Sequence, residues 1–291
     1  MNPFVMGLVA YGTFSICDAC AKYLGPSMSV FEIGFFFNVF AGVVLTFTRH
    51  PEERWRDFWH MDRPWFVHGR AVCGVVASMC GVFAFTTIPL AEAYALIFLA
   101  PLFVTILSAL VLKEDVGIWR WSAVALGFIG VLFVVRPGFQ DLHPGHLGAV
   151  GCALGTGSAV LLLRRMAVGA KRTSILGTLV LYLIVLNGVA MLATGGFVMP
   201  VGWQLAVMAL GGLTYGLGQW ALIVALRLGG ASQVAPAHYS QLLWAVLFGV
   251  AIFGETPGML GVIGLVIIAG AGLLTVIRER IRHGKAARPV I

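Results

Sequence analysis

The sequence predicts an all-α integral membrane protein: ten transmembrane helices arranged as two inverted five-helix repeats. Three observations carry this. Of 291 residues, 59% are hydrophobic and only 11% charged, against about 25% charged in a soluble domain. Ten apolar stretches follow one another, each of about 20 residues and so long enough to cross a hydrocarbon core of about 30 Å. The chain also repeats itself: "GVLFVVRPG" at 130–138 aligns with "GLLTVIRER" at 272–280, and "KEDVGIW" with "GETPGML".

The expected spans are 3–23, 30–48, 67–87, 91–112, 118–135, 145–165, 174–194, 203–226, 231–253 and 258–277. The first has only Met1 and Asn2 ahead of Pro3, so no basic segment marks it as a cleaved signal, and it reads as a retained helix. The second ends before the longest connection, Arg49 to Pro64, which leaves no room for a soluble catalytic domain. Pro89 and Pro101 flank or interrupt the fourth, and Pro236 lies early in the ninth. A proline in a membrane helix frees a backbone carbonyl, so Pro101 and Pro236 are candidate hinges. Close helix approach in lipid relies on small residues, which Gly127/Gly130, Gly151/Gly155, Gly212/Gly216, Gly261/Gly264 and Gly270/Gly272 supply in the fifth, sixth, eighth and tenth. Thr256 and Pro257 have the residue types of an N-cap and first helical position, with Glu255 near the positive end of the tenth helix. Cys17, Cys20, Cys73, Cys80 and Cys152 all fall in apolar helices as small packing residues. No cofactor or metal is expected.

The net charge of +7 does not point to nucleic acid, because its placement is one-sided. With the N-terminus inside, all 19 Lys and Arg except Lys22 and Arg136 fall on inner loops or the basic tail. The positive-inside rule then puts both termini in the cytoplasm, and the tail reads as an anchor near anionic lipid. The repeat offset is 142 residues from Gly130 to Gly272 and 141 from Glu114 to Glu255, so the halves are 1–140 and 141–291. An odd helix number per half makes the second copy enter from the opposite side. Inverted repeats about an axis in the membrane plane characterise secondary transporters, with substrate bound near the midplane between repeats.

The ten-helix, two-half plan and the stretch "LAPLFVTILSALVLKEDVGIWRWSAVALGFIGVLFVVRPG" at 99–138, echoed in helices nine and ten, resemble the drug/metabolite transporter superfamily in its EamA-type exporter branch. The overall impression is most similar to bacterial aromatic amino-acid exporters. The resemblance implies a bacterial inner-membrane protein, a monomer or weak homodimer, that exports small metabolites by alternating access.

Polar side chains at membrane depth normally face a bundle interior or a wet cavity. In "PAHYSQLLWAV" at 236–246, His238, Gln241 and Trp244 form a stripe on one helix face, with Tyr239 about 100° away. Tyr215, Gln219 and Trp220 stand in helix eight, Phe14 and Ser15 in one, Asn38 in two, Met79 and Phe83 in three, Tyr94 and Phe98 in four, Ser158 in six, and Tyr182 with Asn187 in seven. Rings with amide, hydroxyl and imidazole groups suit a small zwitterion with a flat apolar side chain. A single Tyr or Trp could equally pack against a neighbour or join an interfacial belt. Asp18 is the one carboxylate well inside an apolar stretch, and its spacing from Lys22 makes a local ion pair the simplest account. The expected function is export of amino acids with aromatic or apolar side chains. An unpaired carboxylate at depth is not expected, which counts against the alternative, a proton-coupled multidrug exporter. His238 could carry a proton instead. An enzyme is not expected, since no HExxH or GxSxG pattern occurs, nor is a channel with charged rings or filter loops.

Overall fold

The computed structural model describes residues 2–48, 63–111, 113, 117–136, 143–166, 172–229 and 231–286. Among them every regular element is a helix: α1 (Pro3–Leu24), α2 (Val30–Phe47), α3 (Pro64–Thr87), α4 (Leu90–Ile97), α5 (Ala100–Val111), α6 (Ile118–Val135), α7 (Pro144–Met166), α8 (Arg172–Ala193), α9 (Gly202–Gly229), α10 (Ala231–His238), α11 (Ser240–Phe253) and α12 (Met259–Ala286). Eight spans are long and apolar enough to cross a membrane, among them Leu90–Val111 and Pro236–Phe253, while Trp121–Val135 and Met259–Leu274 are shorter apolar helices. Backbone groups in lipid must be bonded within the segment, and this is why hydropathy alone located these elements closely.

Two stretches expected as continuous helices are interrupted. The fourth breaks at Phe98 and Leu99, where Leu99 N–H bonds Leu96 O and Leu102 N–H bonds Leu99 O, three residues back in each case. Pro101 offers no N–H to the Ile97 carbonyl. The ninth breaks at Tyr239, with Tyr239 N–H on Pro236 O and Leu242 N–H on Tyr239 O. Phe98 and Tyr239 are 141 residues apart, the repeat offset. The last helix starts at Met259, two residues beyond the expected Pro257. Glu114 and the loop bases Arg49, Arg54, Arg56 and Lys171 lie outside the described residues.

Helices of the first half pack mainly on those of the second: α3 on α7, α1 on α9, α6 on α12, and α2 on α9 and α8. Glycines set these approaches. Cβ atoms at Gly148, Gly151 and Gly155 of α7 would lie 2.9 to 3.0 Å from Phe83, Cys80 and Ala77 of α3, in an antiparallel register. Gly130 and Gly264 touch across α6 and α12, where a Cβ on Gly130 would fall 2.8 Å from Gly264 O. Gly212 and Gly216 meet Phe40 and Val44 of α2 in a parallel register, whereas Gly127 and Gly270 have open space around them. The largest apolar core joins Leu90, Tyr94 and Leu96 to Val131, Val135, Ala149, Leu242, Ala245 and Ile268. Both halves therefore share one core.

Candidate functional site

The two interruptions meet. Phe98 packs on His238 at 4.7 Å and on Tyr239 at 5.3 Å, and Tyr11 of α1 also stacks on His238, at 4.6 Å and 24°. Tyr11 was not among the expected site residues. Positions 11, 15, 18 and 22 form one polar stripe along α1, a spacing that would have exposed it.

One to two turns further along α1, the Tyr94 hydroxyl donates to Asp18 Oδ2, lies 3.4 Å from Ser15 Oγ and accepts from Gln241 Nε2 at 3.5 Å. The expected Asp18–Lys22 pair does not form. Lys22 instead binds Glu255 Oε1 at 2.7 Å, donates to Ile88 O at 2.7 Å and lies 5.4 Å from the Phe253 ring. Glu255 Oε2 accepts Leu90 N–H at 3.0 Å, so this acid serves the start of α4 rather than its own helix. Across helices Lys22 gains an ion pair and a hydrogen bond together, whereas an i,i+4 pair on one helix contributes only about 0.2–0.5 kcal/mol. Asp18 thus has no cation partner among the described residues and stands only half-buried, near the helix breaks.

The other expected residues divide. Gln219 donates to Tyr215 Oη at 3.0 Å, and Phe14 lies 5.8 Å from the Tyr215 ring, continuing the site along α9. Trp244 stacks on Phe248 at 5.6 Å and faces Gly12 of α1. Trp220 packs with Met6, Ala10 and Ala225. Met79 and Tyr182 join Val75, Leu179 and Leu183 between α3 and α8, with Tyr182 Oη 2.9 Å from His68 Nδ1. Phe83 packs against Gly148. Asn38 and Asn187 bond carbonyls of their own helices, Gly34 O at 2.8 Å and Leu183 O at 2.7 Å. Ser158 stands half-buried on α7. The polar and aromatic cluster therefore gathers on α1, α4, α9 and the α10–α11 break, whereas Met79 and Tyr182 pack between α3 and α8.

Polar cross-links close the bundle end that lies away from the chain termini. Besides Lys22–Glu255, His146 Nε2 lies 3.1 Å from Glu92 Oε2, Glu32 Oε1 accepts Val198 N–H at 3.4 Å, and Gln204 donates to Ser27 at 3.2 Å. A cavity of about 240 Å³ opens beside them, lined by Glu92, Arg136, Glu255, Thr256 and apolar residues.

Paired discontinuous helices meeting at corresponding repeat positions, with polar side chains at the junction, define a membrane transporter. The chain belongs to the EamA-like transporter family, whose model matches residues 2–136 and again 143–277. It is 27% identical over 286 residues, 96% of this chain and 94% of the other, to an S-adenosylmethionine uptake transporter of Rickettsia prowazekii. It is 30% identical over 224 residues, 77% of this chain and 74% of the other, to a riboflavin transporter of Rhizobium johnstonii. A solved crystal structure covers 96% of this chain and 97% of its own with a TM-score of 0.64 at 21% identity, which shows the fold. These relatives are transporters, not enzymes, and neither is an aromatic amino-acid exporter.

Proposed function

We propose that this protein is a ten-span secondary transporter of a bacterial inner membrane, with both termini cytoplasmic and inverted halves 1–140 and 141–291. It carries a small metabolite bearing a flat heteroaromatic ring by alternating access between the halves. The observation behind this reading is the junction of the two helix breaks, where Tyr11, Phe98, His238 and Tyr239 gather their rings. Aromatic side chains favour offset stacking on a planar ring. Riboflavin and S-adenosylmethionine, named for two relatives, each contain a planar heterocycle. A phenylalanine ring suits the same surface, but the relatives lend the amino-acid expectation no support. The breaks beside Pro101 and Pro236 absorb the rocking of the halves. The cross-links at Lys22, Glu92, Glu32 and Gln204 hold the far end shut, so access here is from the side of the termini. The direction of net transport follows the gradients across the membrane.

One observation favours a second reading. Asp18 bonds Tyr94 near the junction and has no cation partner among the described residues, which restores the carboxylate that a proton-coupled exporter of cationic drugs requires.

Reconstitution in liposomes separates the two. Counterflow of labelled riboflavin, S-adenosylmethionine, phenylalanine and a cationic dye is followed with and without a pH gradient, for the wild type and for Tyr11→Ala and Phe98→Ala. Movement of either heterocycle, weakened by both substitutions, is expected. Transport of phenylalanine alone, or of the dye alone under a pH gradient, would overturn the heterocycle reading.

A further inference from the structure

Arg70 stands on α3 inside the bundle, half-buried, and its Nε is enclosed without a hydrogen-bond partner among the described residues. No described carboxylate lies within ion-pair distance of it. A guanidinium drawn out of water is costly unless it is paired, and an ionisable side chain at membrane depth marks a site with a partner to be named.

The surroundings indicate that partner. Tyr215 on α9 interacts electrostatically with both Arg70 and Asp18. A cation and an anion thus both act on one phenol, no ion pair joins them among the described residues, and Gln219 donates to the phenol oxygen. Other groups are engaged elsewhere: Glu92 by His146, Glu255 by Lys22 and Leu90, Glu32 by Val198, and His68 by Tyr182.

We propose that Arg70 binds a carboxylate of the cargo and Asp18 its cationic centre, while the rings at the helix breaks take the heterocycle. This rests on the transport reading above and narrows its substrate to a zwitterion carrying a flat heteroaromatic ring. The planar fork of Arg70 matches both oxygens of a carboxylate. The cargo's own charges complete the two half-made ion pairs, so an uncharged heterocycle leaves both unmade.

The test uses the full chain in liposomes and measures competition against labelled S-adenosylmethionine. In the wild type, decarboxylated S-adenosylmethionine, with the same ring and sulfonium, competes about 10-fold or more weakly than the parent. In Arg70→Gln that ratio collapses towards one, and Arg70→Lys recovers part of it. Equal competition by the two compounds in the wild type would overturn the assignment and leave the heterocycle reading standing; this arm needs no variant to fold. Equal loss of riboflavin and S-adenosylmethionine counterflow in Arg70→Gln would make the residue structural and likewise refute it. If no ring compound moves at all, the transport reading falls first and the inference with it.

Discussion

Lys22→Met is the sharpest probe of how the far end is held. The substitution removes an ion pair and a hydrogen bond, both at 2.7 Å, and leaves Glu255 bonded only to Leu90 N–H. Losing one partner costs about 3–5 kcal/mol for a fully buried pair and about 0–1 kcal/mol at the surface. The side chains here are 12% and 23% exposed, so the expected cost lies between, about 2 kcal/mol. For a chain of this size that lowers Tm by about 4–8 °C. Glu255→Gln is expected to cost a similar amount, because one amide oxygen cannot serve both Lys22 and Leu90. The double variant Lys22→Met with Glu255→Gln leaves no unpaired charge, and its amide oxygen still accepts from Leu90. It should therefore lose less than the sum of the singles, with a coupling of about 1–2 kcal/mol. Exchanging the charges should not restore the wild type, since Glu at 22 would face the Ile88 carbonyl and Lys at 255 the Leu90 N–H. The assay is thermal unfolding of the purified variants alongside counterflow. Additivity within about 0.5 kcal/mol would refute the clamp as an energetic unit.

Two further outcomes are expected. Tyr94→Phe strips the hydroxyl that joins Asp18, Ser15 and Gln241; leaving the carboxylate unbonded costs about 1–3 kcal/mol. Transport should fall while the ring stack persists, and unchanged counterflow would remove Asp18 from the working site. Gly130→Leu should prevent accumulation of folded protein, because a Cβ there already falls 2.8 Å from Gly264 O, whereas Gly127→Leu, with open space around it, should be tolerated. Membrane levels of the two variants check this, and equal levels would count against close packing at the α6–α12 crossing.

Much of the architecture was legible because lipid forces each span to satisfy its own backbone, a local demand written in consecutive residues. The repeat was legible for a related reason: aligned stretches at a constant offset need no coordinates. The site was legible only in part. His238, Gln241, Tyr94, Phe98 and Asp18 stand out by polarity or aromaticity at depth, yet their partners do not, since Asp18 finds Tyr94 76 residues away and Tyr94 finds Gln241 147 residues away. Reading Asp18 with Lys22 used the nearest charge along one helix, and the fold offered each a better partner across helices. Arg70 entered the charge argument as one base on the inner side, because counting charges per side says nothing about which way a side chain turns.

The sequence by itself determined that the chain lies in a membrane, roughly where each helix runs, and that two halves share one plan; hydropathy and repetition are properties of contiguous residues. Only the tertiary structure decided that the fourth and ninth spans break, that their breaks touch, and that Lys22 reaches Glu255 while Asp18 and Arg70 have no charged partner among the described residues. Those outcomes depend on which helix faces meet, and in lipid that is settled by close packing at glycines and by a few long-range polar bonds rather than by hydrophobicity.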